Sequence, residues 1–175
     1  NHLKLKHHHD ALDCLSSRLA DEVLQLIEAE KKITHLATHD VLTELPNRML
    51  LLDRLQMSTD MAIRTNITIS VLFIDLDGFK NVNDQWGHEY GDLVLKESAA
   101  RLKKCVRKTD TVARFGGDEF VVLLVDVHNK AEISQIVAKM NKALNKPFKR
   151  VLAPRRSAQA LEFPSSPPMD LRPMT

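Results

Sequence analysis

Two groups of acidic residues in the sequence stand beside apolar runs of the kind that form β-strands. Asp75 and Asp77 close the run ITISVLFIDLD, while Asp118 and Glu119 separate two apolar runs in VARFGGDEFVVLLV. If these runs form neighbouring strands, the carboxylates meet at one edge of a sheet. Carboxylates without a nearby histidine or cysteine suit a hard cation such as Mg²⁺, which completes its shell with phosphate oxygens. Two such ions could activate an attacking hydroxyl and neutralise a leaving pyrophosphate.

The glycines point to the same part of the chain. All five lie between residues 78 and 117, beside acids, amides and a lysine. At the tip of a hairpin, Gly116 and Gly117 can adopt positive φ, and without a Cβ they let a phosphate approach the backbone. A turn that needs only backbone freedom explains Gly-Gly equally well, and each acid taken alone fits an ordinary strand end or turn. The combination of glycines and acids favours a phosphate site.

The elements that must position these residues read as a helix followed by the order β-α-β-β-α. After a long helix that ends near Thr38, we expect a helix from Arg48 to Arg64 and a central strand, buried on both faces, at ITISVLFIDLD. The later elements are a helix (Leu93–Val106), a hairpin (Thr111–Phe115 and Phe120–Val127) and a helix (Lys130–Leu144). This order is typical of an α+β fold of the ferredoxin-like type: an antiparallel-rich central sheet with packed helices, here preceded by a long N-terminal helix.

The N-terminal helix carries a narrow apolar seam. Leu12, Leu19, Leu26 and Ile33 recur every seven residues between Asp10 and about Thr38. A seam of this kind predicts either a parallel coiled coil with a second chain, which would make a homodimer, or an amphipathic helix that lies on its own domain.

The composition of the chain bears on its binding partners and on the cellular compartment in which we expect it. A net charge of +2 gives no electrostatic reason to expect nucleic acid as a partner. Cys14 and Cys105 are far apart and form no CxxC pair, which favours a reducing cytoplasm over a disulfide framework or zinc site. No run reaches the roughly 18 apolar residues of a membrane span. We therefore expect a cytoplasmic location, with a membrane-bound sensor upstream of residue 1 left open.

Four sequence blocks together resemble the GGDEF domain of the diguanylate cyclases. They are HDVLTELPNR (39–48), FIDLDGFKNVND (73–84), WGHEYGD (86–92) and RFGGDEF (114–120). The resemblance covers residues 39 to about 148 and implies the palm type of nucleotidyl cyclase fold. Residues 1–38 would then be a signalling or coiled-coil helix, and residues 149–175, rich in proline and arginine, a disordered tail outside the family pattern.

The resemblance implies an activity and a set of roles. Such enzymes join two GTP molecules into cyclic di-GMP and release two pyrophosphates, with one GTP held by each of two facing domains. Asp75, Asp118, Glu119 and the carbonyl of Leu76 would bind two Mg²⁺ ions, with Mn²⁺ as an alternative. Asp118 and Glu119 would be catalytic, with Asp118 assisting deprotonation of the ribose 3′-hydroxyl. The substrate-binding residues would be Lys80, Phe79, Gly116 and Gly117 at the phosphates, and Asn83 and Asp92 at the guanine edge.

The stretch RKTD, from Arg107 to Asp110, matches the product-inhibition site of the family. Arginine can stack on guanine and pair with phosphate, so this site would bind cyclic di-GMP. Nothing from Lys149 to Thr175 matches the strand and helix with which the family domain continues, so the domain reads as incomplete at its C-terminal end. Two alternatives follow: an inactive module that binds cyclic di-GMP or GTP through Arg107 and Asp110, or a helix-mediated interaction protein.

Overall fold

The computed structural model describes residues 2–148, with side chains described from residue 15 onward. The chain divides into two compact units between Ala37 and Thr38. The first is formed by one helix, α1 (His2–Thr38), which begins before the predicted Asp10. Three residues of its predicted seam are exposed on the single chain: Leu19, Leu26 and Ile33, by 53%, 64% and 66%. Among the described residues, no helix is long and apolar enough to cross a membrane.

The second unit contains the predicted order of elements with one added helix. The elements are α2 (Arg48–Thr65), β1 (Ile69–Asp75), α3 (Phe79–Trp86), α4 (His88–Lys103), β2 (Thr111–Gly116), β3 (Glu119–Val125) and α5 (Lys130–Leu144). Asn47 caps α2, because its side-chain oxygen accepts the N–H of Leu50 at 3.1 Å. The strands form one antiparallel sheet in the order β1-β3-β2. The predicted α+β class is confirmed.

The strand β1 lies at an edge of this sheet, so its predicted central position is wrong for the part of the chain described here. β3 occupies the centre, and its residues from Phe120 to Leu124 are buried. Along β1, Leu72 and Ile74 are buried whereas Phe73 is 42% exposed. A β-branched apolar run indicates burial, but it does not specify how many strands flank it. Between residues 2 and 148, no strand pairs with β1 on its outer side.

The glycine-punctuated stretch before residue 93 is helical, which the sequence prediction missed. α3 begins after Gly78, whose φ is 76°, and Gly87, with a φ of 83°, separates α3 from α4. Consequently α4 starts at His88 and not at Leu93. Glycine destabilises the interior of a helix, but these two glycines have the positive φ that suits a helix boundary.

Packing on the two faces of the sheet fixes the helices. On one face Leu72 and Ile74 belong to a core that includes Leu102 of α4 and Met140 of α5. On the other face Leu51 of α2 packs with a smaller group from β2 and β3. Each fully buried apolar side chain contributes about 1.5–3 kcal/mol, so the larger core carries most of the stability. The loops that follow β1 and β2 are thus held by rigid elements.

Candidate active site

Three of the predicted acidic residues lie together at one end of the sheet. Asp75 is the last residue of β1, and its partner across the antiparallel ladder is Glu119, the first residue of β3. Asp118 directly precedes Glu119 in the hairpin turn. The condition under which these carboxylates meet, that the two strands are neighbours, is therefore fulfilled. We call Asp75, Asp118 and Glu119 the carboxylate cluster.

The surroundings of Asp75 disfavour its ionised form. Burial raises the pKa of Asp75, and the negative charges of Asp118 and then Asp77 raise it further, against one hydrogen bond from the backbone of Leu76. Nearby like charges disfavour ionisation of a carboxyl group. A bound cation would reverse the effect, because it favours the ionised form.

The hairpin tip is tighter than the sequence indicated. Gly116 pairs with Glu119 across the ladder, so the loop consists of Gly117 and Asp118 alone. Of the two glycines only Gly117 has positive φ, at 53°. A Cβ built at either glycine would meet no atom within 4 Å. The space outside both residues is open, so a bulky anion can approach the backbone here.

An ion pair that sequence reasoning missed holds this tip. Arg114 donates from Nε and Nη2 to the carbonyl of Gly117 at 2.9 and 2.7 Å, and from Nη1 to both carboxylate oxygens of Asp40 at 3.0 and 3.1 Å. Asp40 Oδ1 also accepts the N–H and the hydroxyl of Thr43 at 2.8 and 2.6 Å. Burial opposes ionisation of Asp40, but the bonds from Thr43 and Arg114 prevail and lower its pKa.

The remaining predicted substrate residues lie on α3 and α4. Phe79 and Asn83 are half-buried on α3, while Lys80 on α3 and Asp92 on α4 are exposed. Gly91 permits close approach of the two helices, because a Cβ at that position would lie 2.0 Å from Oδ1 of Asn83. Asn83 therefore lies beside Gly91 in the first turn of α4, and Gly91 directly precedes Asp92.

The role of Gly91 was also missed from the sequence, although the residue was noted among the clustered glycines. Its φ is not positive, so the backbone does not demand glycine there. Glycine is required there because the neighbouring helix α3 leaves no room for a side chain, and the ring of Phe79 would also lie 3.2 Å from an added Cβ. Such crowding depends on how two helices cross, which no local pattern specifies. For Asp40, by contrast, Thr43 three residues later was a usable signal for a capped turn.

The oxygen donors of the cluster fit a hard cation such as Mg²⁺. Leu76 is buried, and its carbonyl accepts the N–H of Phe79 at 3.1 Å, leaving a second lone pair. Among the residues with described side chains, no three acidic, histidine or cysteine groups already form a metal-binding arrangement. Mg²⁺ is typically held by one or two carboxylates together with substrate phosphates, and does not need a complete protein cage.

The RKTD loop lies at the opposite end of β2 from the carboxylate cluster. Asp110 Oδ2 accepts the N–H of Arg107 at 2.8 Å, and Oδ1 accepts the N–H of Val125 at 3.2 Å. The guanidinium of Arg107 bonds Glu132 at 2.6 Å. A cavity of about 440 Å³ adjoins the loop, and its lining includes Arg54, Lys103, Arg107, Lys108 and Asp110.

Comparison with known proteins identifies the family. A profile of the family described as "Diguanylate cyclase, GGDEF domain" matches residues 37–158. The chain belongs to the GGDEF family. This GGDEF chain is 46% identical to the bifunctional diguanylate cyclase/cyclic di-GMP phosphodiesterase MucR of Pseudomonas aeruginosa over 134 residues, 77% of this chain and 19% of MucR. Diguanylate cyclase TpbB of the same species is 38% identical over 140 residues, 80% of this chain and 31% of TpbB.

Solved structures agree with the GGDEF assignment. The GGDEF domain of TpbB aligns with a TM-score of 0.61 and 41% identity, covering 63% of this chain and 64% of that one. The coiled coil and GGDEF domain of DgcB from Caulobacter crescentus, in complex with cyclic di-GMP, aligns with a TM-score of 0.72 and 27% identity, covering 90% and 79%. This GGDEF chain spans less than a third of the length of MucR and of TpbB.

Proposed function

We propose that the GGDEF chain is the catalytic part of a diguanylate cyclase, which condenses two GTP molecules into cyclic di-GMP and releases two pyrophosphates. The observation that carries this proposal is the carboxylate cluster, in which Asp75 faces Glu119 and its pKa is raised partly by Asp118. The open backbone at Gly116 and Gly117 supports it, since it offers room for phosphates beside these charges. The names of MucR and TpbB as diguanylate cyclases point the same way.

The cluster would hold the metal and handle the reacting proton. Asp75, Asp118, Glu119 and the carbonyl of Leu76 would bind two Mg²⁺ ions, or Mn²⁺. When bound, the ions would lower the pKa of the attacking hydroxyl and neutralise the leaving pyrophosphate. The carboxylate of Asp118 would accept the proton of the ribose 3′-hydroxyl of one GTP, whose oxygen would then bond the α-phosphorus of the other GTP as the bond from that phosphorus to pyrophosphate breaks. The reciprocal attack would close the ring and release the second pyrophosphate.

The walls of the site would orient GTP. The backbone of Gly116, Gly117 and Phe79 would lie along the triphosphate, and Lys80 would donate to a phosphate oxygen. Asn83 and Asp92 would read guanine, because an amide and a carboxylate complement its hydrogen-bonding edge, whereas adenine would leave them unpaired. Arg114 and Asp40 would keep the carbonyl of Gly117 turned away from the phosphates.

Two GTP-loaded domains must face each other for the ring to close, so we propose that the chain works as a homodimer through α1. The exposed seam at Leu19, Leu26 and Ile33 supports this arrangement, because burial of such a seam against a copy would stabilise a coiled coil. The likeness to the coiled coil and GGDEF domain of DgcB, over 90% of this chain, also supports it.

A second candidate function is a module that binds cyclic di-GMP without turnover. The basic cavity beside Arg107 and the fixed turn of Asp110 favour it, as does the cyclic di-GMP complex of DgcB. In either case Arg107 would bond a phosphate or stack on guanine.

The test is incubation of the purified chain with GTP and Mg²⁺, with cyclic di-GMP followed by chromatography. We expect product, and at least about 100-fold less in Asp118→Ala, because second-shell residues alone change metal-site activity by 10- to 100-fold. Asp53→Ala, an exposed acid on α2, is the matched control and should keep the parent rate. Absence of product from the folded chain would overturn the active-cyclase proposal and leave the binding module.

A further inference from the structure

The guanidinium of Arg107, on which product binding would depend, already has an anionic partner. Its Nη2 donates to Oε1 of Glu132 at 2.6 Å, which joins the RKTD loop to the first turn of α5. The side chain of Glu132 is 19% exposed, whereas that of Arg107 is 61% exposed. The more exposed side chain of Arg107 can therefore move out of the ion pair, whereas the less exposed side chain of Glu132 is held in place.

The backbone around Glu132 fixes its carboxylate in place. Oε2 accepts the N–H of His128 at 3.1 Å, and the N–H of Glu132 donates to Oδ1 of Asn129 at 2.9 Å. This is a capping arrangement at the start of α5. The bond from His128 lowers the pKa of Glu132, and Arg107 lowers it further. At neutral pH the carboxylate is thus ionised and matches the charge of Arg107.

A phosphodiester and this carboxylate would compete for Arg107, because Glu132 already accepts a hydrogen bond from Nη2. A guanidinium presents its N–H groups in a planar fork, and each oxyanion that bonds a face of the fork excludes another from it. The cavity beside Arg107 contains Arg54, Lys103 and Lys108, so an anionic ligand would be attracted there. Glu132 and the ligand would then compete for the guanidinium of Arg107.

We propose that Glu132 is an internal competitor for Arg107, whose carboxylate must release the guanidinium before the RKTD site can bind the phosphodiester of cyclic di-GMP. This inference rests on the proposed function, since the ligand is its product. Glu132 thereby raises the product concentration at which the site fills. The capping bonds from His128 and to Asn129 make the competitor a fixed part of the fold.

The experiment is titration calorimetry of the full chain with cyclic di-GMP, comparing the parent with Glu132→Gln. Glutamine keeps an oxygen for the N–H of His128, so the cap of α5 survives while the charge is lost. We expect the Kd to fall about two- to five-fold, the range that corresponds to an exposed ion pair. Arg107→Ala should abolish binding in both backgrounds.

The matched control is Glu97→Gln, which removes the carboxylate from another Arg–Glu pair, with Arg101 at 2.9 Å. It changes the net charge equally and should leave the Kd unchanged. An unchanged or higher Kd in Glu132→Gln, or equal tightening in Glu97→Gln, would overturn the inference. So would the absence of binding in parent and variant alike, whereas the cyclase proposal is judged separately by the Asp118 assay. Tightening in a chain that makes no product supports the inference and assigns the chain to the binding module.

Discussion

The two ends of the β2–β3 hairpin treat charge in opposite ways. At the RKTD end, Arg107 pairs with Glu132 and both oxygens of Asp110 accept backbone N–H groups. At the other end, the carboxylate cluster has no ion-pair partner among the residues with described side chains, and burial together with the charge of Asp118 raises the pKa of Asp75. One end pairs its charges within the chain, whereas the other places like charges side by side.

This contrast indicates which end of the hairpin stabilises the fold and which end reduces its stability. Paired groups stabilise the loop that they close, while neighbouring like charges reduce stability and favour cation binding. Strained or unfavourable arrangements are common where a protein binds and reacts, because the ligand supplies the missing interaction. Removing one carboxylate from each end should therefore change stability with opposite sign.

The largest effect is expected at Asp110. In Asp110→Ala the N–H groups of Arg107 and Val125 lose their acceptor, and each such bond contributes about 0.5–1.5 kcal/mol. We expect the free energy of unfolding in urea to fall by about 1–3 kcal/mol. A variant as stable as the parent would mean that water replaces the carboxylate, and the contrast between the two ends would fail.

A smaller loss is expected at Asp40, the one paired carboxylate near the hairpin tip. Asp40→Asn keeps an acceptor for Thr43 but loses the charge that pairs with Arg114, at a cost of about 1 kcal/mol. Because the pKa of Asp40 is lowered in the folded chain, its stabilising effect is complete above the ordinary value of 3.8 and is lost as pH falls through the folded value. Urea unfolding at neutral and at acidic pH should therefore show the gap between variant and parent closing in acid; a constant gap would contradict the ion pair.

The smallest effect, of opposite sign, is expected at Asp118. Without metal, Asp118→Ala should unfold at a slightly higher temperature than the parent, because one repulsive charge is gone. The free energy of unfolding should rise by about 0.5 kcal/mol or less. The carboxyl resonance of Asp75 should titrate at lower pH in the variant, since Asp118 is among the causes of its raised pKa. A variant that melts below the parent, with the titration of Asp75 unmoved, would show that the cluster is not repulsive.

More of the site than of the surrounding fold could be predicted from the sequence. Strand patterns and turn chemistry predicted the strand of ITISVLFIDLD and the hairpin of VARFGGDEFVVLLV. The meeting of Asp75 with Asp118 and Glu119 depended on the two being neighbours in the sheet, which the pairing of β1 with β3 established. α3 was missed because glycines at its ends resemble loop residues. The contacts of Gly91 with Asn83, and of Arg114 with Asp40, join segments distant in sequence or depend on helix crossing, which no local pattern encodes.

The length of β2 separates the two ends in a way that limits how they can communicate. Its six residues extend over about 20 Å, whereas charges in physiological salt are screened beyond about 8 Å. The charge of a ligand at Arg107 would therefore be screened before it reached the carboxylate cluster, and the ligand would not occupy the space beside the cluster. Under the proposed function, cyclic di-GMP bound at Arg107 would therefore act on the site through movement of the hairpin or of the domain, and would lower the maximal rate without competing with GTP.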